Sequence, residues 1–377
     1  MPERTARSPR VTAPPTSPSR PVRAFVVALA FGAAIPSASA QGLDVTLYGR
    51  LNLDVEYVTR RHPDEPGAHV FRVSSNSSRF GLRGSEALGG GVLAVFQIES
   101  TINADTGGGT LAGRDSYVGF KGGFGQVSLG HMLAPYDDIH AIFGNVPTLT
   151  TTILSTAAVW AQGTSTKALG GFDVHLPNSL RWDLPAIEDF SASVQYAAGE
   201  RPIHDGVISI GGFYNTGPLN AGVAWERNLQ VRGAGLYDDA LSVALSYSFP
   251  WADFGAVYER LQYGTPSGKL TRSFWGLGVT VPLGAGALYA FAGHAGEGGG
   301  SADAGTRVGG LARGADSAAT QYSISYTHVL SKRSLAYVGY VQIANDANAS
   351  YSLNINPYPT PIGGKPAGFV VGLAHFF

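Results

Sequence analysis

The sequence predicts an all-β fold, an antiparallel up-and-down transmembrane barrel of about 16 strands with its third long loop folded inward. Three observations point there. Residues 43–57 alternate between apolar and polar without a break. Short and long turn-rich breaks then follow each other in turn along the chain. Finally, an export-type apolar stretch stands near the amino terminus, and no later run reaches 18 consecutive apolar residues.

The first strand is read from parity. Leu43, Val45, Leu47, Gly49, Leu51, Leu53, Val55 and Tyr57 are apolar or small, whereas Asp44, Thr46, Tyr48, Arg50, Asn52, Asp54 and Glu56 are polar. A period of two puts each set on its own face of a strand. A helix at 3.6 residues per turn would smear the charges around its axis.

Residues 23–40 read as a secretory signal. Arg20 and Arg23 lead into the apolar stretch from Ala24 to Ile35, and Ser37-Ala38-Ser39-Ala40 offers a small-x-small cleavage site before Gln41. That stretch is too short to span a bilayer, which takes about 20 residues. The Pro-, Ser- and Arg-rich residues 1–21 have no structural pattern and read as a long n-region or as sequence upstream of a start at Val22. Residues 41–377 are then one domain. A chain with no spanning helix enters a bilayer only as a closed barrel.

Composition agrees. The chain has 51 Gly, 17 Tyr and 18 Phe but only 14% charged residues, where a soluble domain has about 25%. With no Cys, disulfides and thiolate metal sites are excluded. Residues 1–40 hold five Arg and one Glu, so 21 basic and 26 acidic residues remain downstream, a net charge of −5. That balance gives no support to nucleic-acid binding.

The remaining strands lie between the breaks. Short breaks are expected at 87–90, 122–123, 185–188, 215–218, 250–252, 283–286 and 331–333. Long ones are expected at 60–69, 103–112, 133–174, 199–205, 228–236, 264–270, 296–317 and 345–365. Gly, Pro, Asn and Asp punctuate both kinds, as turns require. Sixteen segments result, of roughly the length a tilted transmembrane strand needs, about 9–11 residues. An even strand count with short turns at one end and long loops at the other is the outer-membrane barrel pattern. Phe80 and Leu82 oppose Arg79, Arg83 and Ser85. Phe96 and Ile98 oppose Gln97 and Glu99, while Leu180 and Trp182 oppose Ser179, Arg181 and Asp183. An Arg facing lipid at the midplane costs about 2–4 kcal/mol, so the charged faces are expected to line water. A secreted soluble sandwich would also alternate, but its polar face would look outward. No fixed-period repeat supports a solenoid.

The ordered segments resemble a family, the trimeric Gram-negative general porins of β-proteobacterial type. The resemblance runs from Val45-Thr46-Leu47-Tyr48-Gly49 to Phe377. It is sharpest from Ser78 to Gly91, followed by Ala94-Val95-Phe96-Gln97-Ile98-Glu99. It continues in Tyr117-Val118-Gly119-Phe120, Gly125-Gln126-Val127-Ser128-Leu129-Gly130, Pro135-Tyr136, Asn178-Ser179-Leu180-Arg181 and Leu330-Ser331-Lys332-Arg333. The resemblance implies a 16-stranded homotrimer in the outer membrane of a Gram-negative bacterium, in contact with lipid and lipopolysaccharide. It also implies that loop 133–174 narrows the pore and that Phe377 is the terminal aromatic read by the assembly machinery. Relatives often carry Arg where this chain has His131, and a basic residue where Leu93 and Ala374 stand, which weakens an assumed anion preference.

Arg50, Arg79, Arg83 and Arg181 are expected on the lumen wall with Glu99 and His131, and Asp137, Asp138 and Asp173 on the inward loop. Opposite charges across a constriction create a transverse field, while a pore must bind weakly to conduct. Each Arg is otherwise read as part of a salt bridge within the wall. Tyr48, Tyr57, Tyr117, Tyr196, Tyr247, Phe249, Trp182, Trp225, Trp251 and Tyr326 are candidates for interfacial girdles. No metal or cofactor is expected: the nine His are scattered and carry no His-Glu-x-x-His pattern, and the Asp and Glu clusters on the long loops, the alternative seat for a divalent ion, are irregularly spaced. No Ser/His/Asp or paired-carboxylate set supports an enzyme. The expected activity is passive diffusion of ions and small hydrophilic solutes, the alternative being a substrate-selective channel of the same architecture.

Overall fold

The computed structural model of the protein describes residues 44–65, 67–143, 151–162, 171–200 and 205–377. The export signal expected over 1–40 lies outside the described residues. Among those residues sixteen antiparallel strands form the wall. β1 spans Asp44–Thr59, and β2 is interrupted, running His69–Ser75 and then Arg79–Gly89. β3 (Val92–Ile102), β4 (Ser116–Gly122), β5 (Gly125–Leu133), β6 (His175–Asp183) and β7 (Phe190–Ala198) follow. Then come β8 (Gly206–Thr216), β9 (Leu219–Leu229), β10 (Tyr237–Phe249), β11 (Ala252–Thr265) and β12 (Gly268–Leu283). β13 (Gly286–Ala295), β14 (Ala319–Val329), β15 (Ser334–Asn345) and β16 (Ala367–Phe376) complete the series.

Each strand pairs with its sequence neighbour, and β16 returns to β1 in register from Arg50↔Phe376 to Thr59↔Ala367. The ring is therefore closed, and a closed ring has no open edge to leave unsatisfied in lipid. No described helix is long and apolar enough to cross a membrane, so crossing falls to the strands.

Burial is inverted relative to a water-soluble protein. Leu47 is 61% exposed and Phe369 58%, whereas Arg50 is 6% exposed and Gln321 fully buried. On β10 the outward set is Leu241, Val243, Leu245 and Tyr247, and the inward set is Ala240, Ser242, Ala244 and Ser246. Large apolar side chains thus face out and polar ones face in. Only a solvent that is itself apolar makes that arrangement favourable.

The structure departs from the expected segmentation at one long break. Residues 264–270 form a tight two-residue turn at Pro266-Ser267, because the ladder continues through Gly264↔Lys269 to Thr265↔Gly268. The Gly-Thr-Pro-Ser-Gly composition suggested a loop, but Tyr263 and Leu270 beside it are fully buried, which holds the tall hairpin together. Gly299 and Gly300 add a further rung to Thr271 and Leu270. A second departure concerns the aromatics. Tyr48 and Tyr117 point inward, donating to Glu99 at 2.9 Å and to Gln97 at 3.5 Å. Trp182, Tyr196, Tyr247, Phe249 and Trp251 do lie on the outer face. Tyr247, Phe249, Trp251 and Phe254 gather around the β10–β11 turn with ring centroids 4.6–5.9 Å apart.

The third long connection, 134–174, enters the barrel. It opens with a short helical turn over Asp137–Ile139 and His140–Phe143. Residues 152–162 are buried throughout, packed on the inner wall.

Candidate functional site

Side chains of the loop reach a long arc of wall. The Tyr136 N–H donates to Ser209 Oγ on β8 at 3.0 Å, and its hydroxyl bonds Ser242 on β10 at 2.8 Å and Glu259 on β11. Trp160 Nε1 donates to Ser242 at 3.2 Å, and Arg272 of β12 donates to the Trp160 carbonyl at 3.1 Å and to Glu259 at 3.1 Å. Gln321 on β14 donates to the Ser155 carbonyl at 2.8 Å. Leu154 and Ile153 then lie over Gly339 of β15 and Gly368 of β16. A Cβ at either glycine would come within 2.7 Å of those side chains, so only glycine admits the loop so close. Asn52 on β1 donates to Thr151 at 3.4 Å. Trp160 and Tyr136 are fully buried, so each anchor combines a large apolar area with a satisfied polar tip.

The loop covers β8 through β16 and reaches β1. Among the described residues the loop covers the wall of β2–β5 least, and three of the expected charges, Arg50, Arg79 and Glu99, converge there. Arg50 and Arg79 are directly paired across β1 and β2. Such like-charged neighbours repel, and what offsets them is Glu99 on β3. Its carboxylate accepts Arg114 Nε at 2.5 Å and the Tyr48 hydroxyl at 2.9 Å, and lies 3.5 Å from Arg79 Nε. Arg50 Nε reaches the Ser77 carbonyl at 3.2 Å. That acceptor is presented by the β2 interruption, where Ser77 takes φ 52°. Three guanidinium groups therefore surround one carboxylate. Asp115, the next carboxylate, is engaged by the Leu133 N–H at 2.8 Å and lies 3.6 Å from His175. A net positive charge remains on this wall. At 4 Å two unit charges interact by about 1 kcal/mol in water and about 4 kcal/mol at an effective dielectric of 20.

The other expected residues are placed differently. Arg181 sits between Asp138 at 2.9 Å and Asp183 at 2.8 Å and also donates to the Leu133 carbonyl at 2.9 Å. It is a clamp on the stem of the loop, with its charge compensated. Burial pushes the Asp138 carboxyl up and Arg181 pulls it back, the burial prevailing. Arg83 lies exposed nearer the short turns, 5.1 Å over the Tyr48 ring, beside a polar pocket of about 300 Å³ shared with Lys121 and Gln126. His131 sits at the register shift between Gly130 and Met132. Its ring stands 5.5 Å from that of His175. Phe377 exchanges both backbone hydrogen bonds with Gly49 (2.9 and 3.0 Å).

Asp137 does not join the basic wall. It groups with His140 and Asp173, where donor atoms of the three lie within 4.8 Å of one another. Burial alone would lower the His140 imidazolium, but Asp173 outweighs it and raises its pKa to about 9. Elsewhere on the inner wall Arg72 pairs with Glu56 at 2.6 Å and Arg232 with Asp238 at 2.7 Å.

Sequence reasoning missed Arg114 and Trp160, and it gave Tyr136 only as part of the resemblance, without its anchoring role. Arg114 lies just outside β4, where no alternation reports facing. Trp160 was visible as a lone large aromatic in a stretch of small residues, a cue for burial that period counting does not use.

The profile of the Gram-negative porin family matches residues 25–348. The chain is 27% identical to outer membrane porin protein 32 of Delftia acidovorans, over 93% of this chain and 99% of that one. It is 33% identical to the major outer membrane protein P.IB of Neisseria gonorrhoeae over 44% of this chain and 45% of that one. Among solved structures, the anion-selective porin from Comamonas acidovorans superposes with a TM-score of 0.72 at 24% identity, covering 89% of this chain and all of that one. In vitro folded OmpT of Vibrio cholerae, in its trimer form, gives 0.67 at 14% identity, covering 89% of this chain and all of that one.

Proposed function

We infer function from one premise: the chain belongs to the Gram-negative porin family. It forms a channel in the bacterial outer membrane for passive diffusion of ions and small hydrophilic solutes. The observation that carries this is the inverted burial of a closed barrel, with leucines outside and a charged, loop-narrowed lumen inside. Membership makes the protein a channel rather than an enzyme.

The finer reading concerns selectivity. Arg50, Arg79 and Arg114 outnumber Glu99 on the open wall, so the constriction mildly favours small anions. The Comamonas relative, described as anion-selective, supports this reading. Purified protein in a planar bilayer under a KCl gradient should conduct ohmically, with a reversal potential on the chloride side. A cation-side potential would refute the anion preference while leaving the channel itself intact.

The working unit is a homotrimer, supported by the exposed apolar outer face and by the trimer form of the Vibrio relative. Conductance should then rise in groups of three equal steps. Lipopolysaccharide surrounds the outer rim, and the terminal Phe377 serves the assembly machinery. Residues 1–40 serve as the export signal, so sequencing of the exported protein should begin at Gln41; a start further upstream would exclude cleavage there.

A further inference from the structure

Within the inward loop two buried polar side chains, His140 and Asp173, make no hydrogen bond of good geometry among the described residues, and Asp137 stands beside them. Asp137 opens the short helical turn, and His140 follows three residues later, a spacing that places both on one side of a turn. Asp173 arrives from the other end of the loop, just before β6. His140 is 6% exposed and Asp173 3%. His140 Nε2 lies 3.0 Å from Asp173 Oδ2. Even so, both ring nitrogens and both Asp173 oxygens lack a hydrogen-bond partner among the described residues, because the approach is off the hydrogen-bond axis. The Trp160 ring lies tilted by 37° against the imidazole at a centroid separation of 3.9 Å and closes the apolar side.

We propose that Asp137, His140 and Asp173 form a binding site for one divalent first-row transition ion, which ties the two ends of the constriction loop together. The donor set decides the class: one imidazole and two carboxylates suit zinc, cobalt or manganese better than calcium, which takes oxygen ligands only. The charge decides the valence, since two carboxylates and a neutral imidazole cancel a dication and leave the buried site neutral. Tetrahedral ligands about 2.0–2.1 Å from zinc stand about 3.4 Å apart, so donors now within 4.8 Å of one another need only a modest closure. Asp137 is the least buried of the three, which leaves room for a water as fourth ligand. The competing reading is a plain buried His140–Asp173 ion pair. That pair leaves Asp137 uncompensated and both partners poorly aligned.

The test uses the full-length, untagged protein in detergent, dialysed against chelator and titrated with Co²⁺. Binding should appear as visible d–d absorption with one ion per chain, displaced by Zn²⁺ but not by an equal concentration of Ca²⁺. Asp137→Asn, at the most exposed ligand, should weaken binding about tenfold or more, and His140→Gln should abolish the band. Zn²⁺ should also shift unfolding of the unmodified protein to higher denaturant, and this shift should be lost in the Asp137→Asn variant. The proposal is overturned if the unmodified protein gives no band, or if the band survives His140→Gln. It is also overturned if the band disappears with His131→Gln instead, which would move the ion to the His131–His175 pair.

Discussion

At Glu99 a single carboxylate carries Arg79 and Arg114, with Arg50 paired beside Arg79, and the proposed anion preference rests on this surplus of basic side chains. Arg79 and Arg114 keep 28% and 21% of their side chains open, so they are screened by the pore solution yet close enough to bias it. Arg79→Glu should move the reversal potential several-fold toward cations in permeability ratio, and Arg114→Glu should do the same. An unchanged potential in both would remove the basic wall from the constriction. Arg181 gives the contrast. Its charge is spent on Asp138 and Asp183, and its replacement acts through the loop stem. The parity of β1–β3 was enough to put Arg50, Arg79 and Glu99 on one face. Parity could not tell which arginines stay uncompensated, because the answer depends on Asp138 and Arg114, both on loops without a period. His131 is named by the resemblance rather than by alternation, and the register shift between Gly130 and Met132 interrupts the regular pairing at its position.

The loop between β5 and β6 is held by a few large anchors rather than by a regular ladder. Trp160 is the main one, buried completely, with its indole N–H on Ser242 and its carbonyl bound by Arg272. Trp160→Ala should cost about 3–5 kcal/mol of local packing and free the middle of the loop, while the wall ladder remains. Single-channel records should then show larger, noisier openings with trimer heat resistance in gels preserved; quiet records at the original conductance would mean that the loop is held from elsewhere. The inward course of this loop came from resemblance rather than from residue pattern. Length alone marked it as special, but nothing local distinguishes a loop folded inward from one spread over the rim. The glycines that receive it, Gly339 and Gly368, sit in otherwise ordinary strands.

Closure is the property of the whole molecule. β1 meets β16 over ten register pairs, and Phe377 then lays its ring against Gly49, where a Cβ would come within 2.4 Å of that ring. Gly49→Val should therefore impair seam formation and lower the yield of assembled barrel during refolding into detergent, while the far wall is untouched. Normal yield would show that the seam tolerates a side chain. The strand count, the alternation and the order of turns followed from the residues because lipid imposes one rule on every strand. The one misplaced turn, at Pro266-Ser267, lies where β11 and β12 rise as a tall hairpin and the sealing contacts come from Tyr263 and Leu270.

The lopsided placement of the loop divides labour around the cylinder. From β8 to β16 the inner residues are trapped beneath Tyr136, Leu154 and Trp160, so a change there disturbs folding before it alters transport. Between β2 and β5 the side chains are covered less by the loop, and Arg79, Glu99 and Arg114 pair among themselves. Substitutions along that narrower sector should therefore alter what the pore admits with less disturbance of the architecture than substitutions beneath the loop.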